Sequence, residues 1–248
     1  MSAQAESSKL GMTEKHISLN KLMAAVLLLS LLLLLTMGVS AHKIGSGDQA
    51  FVEQSQGVQV LPYIYLGAKH MVTGYDHLLY LAGVIFFLFK IRDVAVFVSM
   101  FSLGHSITLL WGVLAGWHVN PYLVDSIIGL SVVYKAFENL GGFRAYFDSW
   151  LDTRAAVFLF GLVHGLGLAT KLQDLNISQE GLIANMISFN VGVELGQLVA
   201  LTFLIMVFSL LRSSSHFQRN SILANTLIMM AGFVLIGDQL TGYFMMQG

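Results

Sequence analysis

Apolar residues run along this chain in seven long blocks, at about 22–39, 63–89, 94–117, 122–140, 155–171, 181–211 and 221–245, with short polar breaks between them. Stretches of roughly 18 or more apolar residues are long enough to cross a bilayer as helices. Helices also satisfy their own backbone groups where lipid offers no partner. The pattern predicts an all-α fold, a polytopic transmembrane helix bundle. Residues 1–21 are polar and carry Lys9, Lys15 and Lys21, and the first block closes on the small-x-small run Val39-Ser40-Ala41. That layout is a signal peptide at 1–41, cleaved before His42, which leaves six spans, or seven if the leader stays as a first transmembrane helix. An external segment at 42–62, with no strong period, then leads into a six-helix domain at 63–248.

The basic residues orient the bundle. Lys90 and Arg92, Arg144 and Arg154, and Arg212 and Arg219 fall in alternate breaks, whereas the loops at 118–121 and 172–180 hold no Lys or Arg. The positive-inside rule puts the three basic loops in the cytoplasm and both mature termini outside it.

Composition narrows the chemistry. Of 248 residues 56% are hydrophobic and only 11% charged, against about 25% charged in ordinary soluble domains. A formal net charge of −1 without a basic cluster excludes nucleic acid as a partner. The lipid bilayer is the expected surrounding, and the oligomeric state is open. There is no cysteine, so no disulfide, thiolate ligand or thiol nucleophile is available. The ligands left are His, Asp, Glu and Met, and the twelve methionines scatter through apolar runs as packing.

Function is then sought among the polar residues within the spans, which are costly there and face the bundle interior. In the first mature span Gly67, His70, Gly74, His77 and Leu81 follow at i, i+3, i+7, i+10 and i+14, one helical stripe with Asp76 on its flank. In the second, Ser102, His105 and Thr108 align, with Trp111 beyond them. In the third, Lys135 and Glu138 form an i, i+3 pair, and Asp125 reads as a helix cap or as a carboxylate at a pore mouth. In the fourth, His164 lies among Gly161, Gly165 and Gly167, small residues that favour close helix contact. In the fifth, Asn190, Glu194 and Gln197 form a second polar stripe, expected to face the helix that carries His70 and His77. Asn225 and Asp238, in the sixth, are isolated.

His70-x5-Asp76-His77, Gly104-His105-Ser106 and Phe160-Gly161-Leu162-Val163-His164-Gly165-Leu166-Gly167 together resemble the HupE/UreJ family of bacterial membrane proteins. The resemblance covers essentially the whole mature chain. It implies a bacterial inner-membrane permease for nickel or cobalt, with His70, Asp76, His77 and His164 in metal passage. Two departures stand out: Phe160-Gly161 lacks the first histidine of the family's later motif, and the Gly-x-Glu after its second His-Gly is absent, since Gly165-Leu166-Gly167 continues with Leu168.

Imidazole with carboxylate suits nickel, cobalt, zinc and Cu(II) alike, and the candidate ligands are His70, Asp76, His77, His105, His164 and Glu194. Transport asks for binding that strips water yet releases the ion, which a sparse set spread over several helices provides. The ion is then cargo, and no permanently bound cofactor is expected. The alternative is an intramembrane hydrolase holding zinc with an activated water, with Ser106 and Glu194 as auxiliaries. Against it, His70 and His77 would stand about 10 Å apart along a straight helix.

Overall fold

A computed structural model describes residues 46–143, 152–175 and 178–247, so the expected leader lies outside the described residues. Among these residues there are eight helices and no strand. They are α1 (Ser46–Gln54), α2 (Val60–Thr73), α3 (Tyr75–Ile85), α4 (Ile91–Ala115), α5 (Pro121–Asn139), α6 (Thr153–Gln173), α7 (Leu182–Arg212) and α8 (Phe217–Gln247).

Helix boundaries follow local chemistry. Pro121 opens α5 at a position whose N–H is not needed, and the Asn120 side chain accepts from the backbone N–H groups of Tyr122 and Leu123. The cap of α5 is therefore Asn120, and Asp125 is released for another role. Asp152 caps α6 by accepting from Arg154 N at 2.8 Å. Gly116, at φ 65°, closes α4 in the left-handed region and donates to Gly112 O.

The first mature span departs from expectation. It is two helices, α2 and α3, parted at Gly74, whose φ of −74° and ψ of 99° are extended. Backbone hydrogen bonds flank the break on both sides: Gly74 N donates to His70 O at 2.9 Å, and Leu78 N to Gly74 O at 3.0 Å. Irregular backbone at membrane depth survives only inside protein, and Gly74 is buried.

Among the described residues four helices are long and apolar enough to cross a membrane: α4, α6, α7 and α8 over Phe217–Met246. The shortfall from six has physical causes. α2 and α3 are 14 and 11 residues long because the chain breaks between them, and the 19-residue α5 carries Asp125, Lys135 and Glu138.

The helices pack mainly in three pairs, α4 on α6, α2 on α7 and α5 on α8. Glycine permits the first two. A methyl on Gly165 would run into the His105 carbonyl, and one on Gly67 into the Phe189 carbonyl. Short α3 is the hub, touching α2, α4, α5, α7 and α8. Its far end is tied down by Arg212, whose Nη2 donates to Ile85 O and Phe86 O at 2.8 and 2.7 Å. Asn139 adds a strap, donating to Gly83 O and to Asn225 Oδ1, both at 2.8 Å. Asn225 is thus part of the scaffold.

Part of the segment expected to be external is the helix α1. It docks through buried Val52 and through Asp48, which accepts from Lys69 Nζ at 2.8 Å.

Candidate metal centre

The break at Gly74 makes the centre. On a straight helix His70 and His77 would stand two turns apart; here their ring centroids are 5.1 Å apart, because the chain turns between them. A Cβ on Gly74 would lie 3.1 Å from His77 Nδ1 and 3.3 Å from Asp76 Oδ1, closer than ordinary packing. The residue that breaks the helix therefore also gives the two ligand candidates their room. The separation argument raised against a hydrolase does not survive this geometry.

His77 is the middle of the cluster. Its ring lies 5.6 Å from that of His105 on α4 and 4.9 Å from that of His164 on α6. Potential ligand atoms of His70, His77 and His105 fall within 4.8 Å of one another, and so do those of Asp76, His77 and His164. Two triads thus share His77. Asp76, His77, His105 and His164 are fully buried, and His70 is half-buried.

Neighbouring groups fix how the imidazoles point. Asp76 Oδ1 sits 3.1 Å from His77 Nδ1. Ser131 Oγ donates its one proton to Ile128 O at 2.6 Å, so towards His164 Nε2, 3.1 Å away, it acts as acceptor. That contact makes Nε2 the protonated nitrogen of His164 and leaves Nδ1 with a lone pair and no partner among the described residues. His105 has neither nitrogen bonded among the described residues. Such groups are rare in buried protein, and metal coordination would satisfy them. Phe101 closes one side, its ring 5.1 Å from that of His164 and 6.2 Å from that of His77, and Tyr80 lies 5.2 Å from His164.

Of the candidates, His70, Asp76, His77, His105 and His164 come together, and Glu194 does not. It is exposed on α7, about 160° round the helix from Gly192 and Gly196, which pack on α2. The rest of its expected stripe is used elsewhere: Gln197 Oε1 accepts from Ser102 Oγ at 2.7 Å, and Asn190 Nδ2 donates to Met186 O at 3.2 Å. Trp111 is exposed, and Thr108 donates to Leu162 O at 2.6 Å, holding α4 to α6. The structure adds Ser131 and a buried ion pair, in which Lys171 Nζ donates to Asp125 Oδ2 at 2.6 Å. Helical phase hinted at the latter, since Lys171 follows His164 by two turns.

A family model described as HupE / UreJ protein matches residues 46–247, every described helix included. The chain belongs to the HupE/UreJ family. No curated protein and no solved structure matches it. The HupE/UreJ family is associated with nickel and cobalt transport, and the apolar helices fit a multi-pass membrane protein. Gly161 and Gly167, on either side of His164, stand at packed positions. A side chain on Gly161 would strike the Phe101 carbonyl, and one on Gly167 would start 3.3 Å from Asp125 Oδ1 and 2.8 Å from Ile128 Cδ1.

Proposed function

We propose that this chain is a permease that passes a divalent transition-metal cation, nickel or cobalt, through a buried centre of His70, Asp76, His77, His105 and His164. One observation carries the reading: four imidazoles and a carboxylate, from α2, α3, α4 and α6, gather around His77 as two triads, each with its potential ligand atoms within 4.8 Å of one another. Neutral imidazole selects borderline transition metals over Mg²⁺ and Ca²⁺, which prefer all-oxygen shells. Asp76 offsets part of the charge of the dehydrated ion. Two triads sharing one histidine suit a moving ion, which exchanges one set of ligands for the other without losing its hold on His77.

The topology belongs to the same proposal. α2 and α3 together make one broken span, and charged α5 makes another, so six spans cross a bacterial inner membrane behind a cleaved leader. The basic loops lie in the cytoplasm and both mature termini outside.

Nickel and cobalt flux into proteoliposomes containing the full chain tests the reading, run beside a peptide and lipid hydrolysis screen. Metal-dependent flux that His77→Ala abolishes at equal protein abundance is the expected result. Hydrolysis without flux would replace the permease by the zinc hydrolase, which family membership does not favour.

A further inference from the structure

We propose that Lys171 is a tethered counter-cation. It neutralises Asp125 while no metal is bound and swings away when a divalent ion arrives, making Asp125 a second carboxylate for that ion. The inference rests on the reading of the histidine centre as a passage for a divalent cation.

Position comes first. Asp125 lies six residues before Ser131 on α5, and Lys171 seven residues after His164 on α6. Ser131 and His164 touch at 3.1 Å, so Asp125 and Lys171 lie on the same side of the centre along the bundle, and the Asp125 carboxylate stands level with Gly167, three residues past His164. By the basic-loop orientation that is the outer side.

Charge balance supplies the reason. The histidine centre holds one carboxylate, Asp76. A divalent ion among neutral imidazoles and Asp76 would leave one uncompensated positive charge in a buried site, which is expensive. Asp125 can supply the missing negative charge only if Lys171 stops neutralising it. Lys171 is built to move. It stands two residues before the end of α6, its side chain is 17% exposed against 6% for Asp125, and its four-carbon stem lets the ammonium reach the aqueous boundary. A Cβ on Gly167, one turn back on α6, would press on the Asp125 carboxylate at 3.3 Å, and glycine keeps that contact clear.

Stability does not account for the arrangement, because a buried ion pair roughly breaks even against apolar packing. The second lysine–carboxylate pair differs. Lys135 and Glu138 are neighbours on one helix at 2.6 Å, and Glu138 is also held by Thr153 Oγ1 at 2.8 Å. Lys135 and Glu138 share one helix, whereas Lys171 reaches Asp125 from another.

The test is equilibrium binding of cobalt(II) chloride to the purified full chain in detergent, with proteoliposome flux in parallel. Lys171→Gln should tighten cobalt binding on the order of tenfold, and Asp125→Asn should weaken it by a similar factor. The double variant should behave like Asp125→Asn alone, since no carboxylate remains to be released. Lys171→Arg keeps the charge but can grip the carboxylate with two bonds, and it should weaken binding; it serves if Lys171→Gln does not fold. Cobalt affinity within twofold of the parent in Lys171→Gln, or in Lys171→Arg where that variant serves, overturns the tether, as does a double variant that binds as tightly as Lys171→Gln. If the parent binds cobalt, His77→Ala abolishes binding and the Lys171 variants change nothing, the tether fails and the centre stands. A parent that binds no cobalt takes both down.

Discussion

Two polar stripes in this chain read alike and end in different places. One, on α2 and α3, carries His70, Asp76 and His77 into the middle of the bundle; the other, on α7, leaves Glu194 exposed. The difference lies in the glycines. On the first stripe Gly67 and Gly74 share a phase with the histidines, so close approach and polarity fall on one face, and Gly74 then bends the chain around its own ligands. On α7 Gly192 and Gly196 dock against α2 and turn Glu194 nearly the opposite way. In a membrane helix the face that packs is chosen by small residues, and polar residues follow it in or out.

The largest test removes the hub. His77 belongs to both triads, so His77→Ala should abolish nickel and cobalt flux, and Asp76→Asn should do the same by removing the carboxylate of the centre. Flux like that of the parent at equal membrane abundance would remove the centre from the path.

Filling the bend comes next. Gly74→Leu keeps every ligand but places atoms against His77 and Asp76 where a Cβ already stands 3.1 and 3.3 Å away. Misplacing a working group by about 1 Å can cost on the order of a hundredfold, so flux should fall by about that factor in a chain that still folds. Gly74→Ala should lie between Leu and the parent. If Leu is tolerated without loss, the break is packing only.

A smaller effect is expected one contact further out. Ser131→Ala removes the acceptor that keeps the proton of His164 on Nε2. Losing such an orienting partner typically costs 10- to 100-fold in metal affinity, here about tenfold. Cobalt titration of the variant checks it, and Ser131→Thr, which keeps the hydroxyl, should restore affinity.

Much of this was legible in the sequence. Composition and the apolar blocks gave an all-helical membrane bundle, and His70, Asp76, His77, His105 and His164 stood out because polar groups are conspicuous against lipid-soluble neighbours. The bend was not legible: at i+7 from Gly67, Gly74 stays in helical phase and reads as one more packing glycine. Asp125 was hidden by its nearness to a helix start, where an acidic residue passes for a cap until Asn120 is seen to do that work. Lys171 was hidden by hydropathy, which treats a lysine near the end of a span as a boundary, although its ammonium turns back to Asp125. The last two misses concern partners on different helices, which periodicity along one helix does not encode.

The smallest expected effect completes the comparison. Glu194 sits about 18 Å from the start of α7, near the middle of a 31-residue helix of mean hydropathy 2.1 in its most apolar window. It is exposed there and belongs to neither triad. A carboxylate at that depth costs about 2.5–3.5 kcal/mol on insertion scales, so its neutral isostere relieves a cost and removes no ligand. Glu194→Gln should leave nickel and cobalt flux within about twofold of the parent, the scatter expected of a residue outside the site, with membrane abundance equal or higher. A tenfold loss of flux at equal abundance would mean that the second stripe serves the passage after all, and that glycine phase does not decide which polar face of a membrane helix is used.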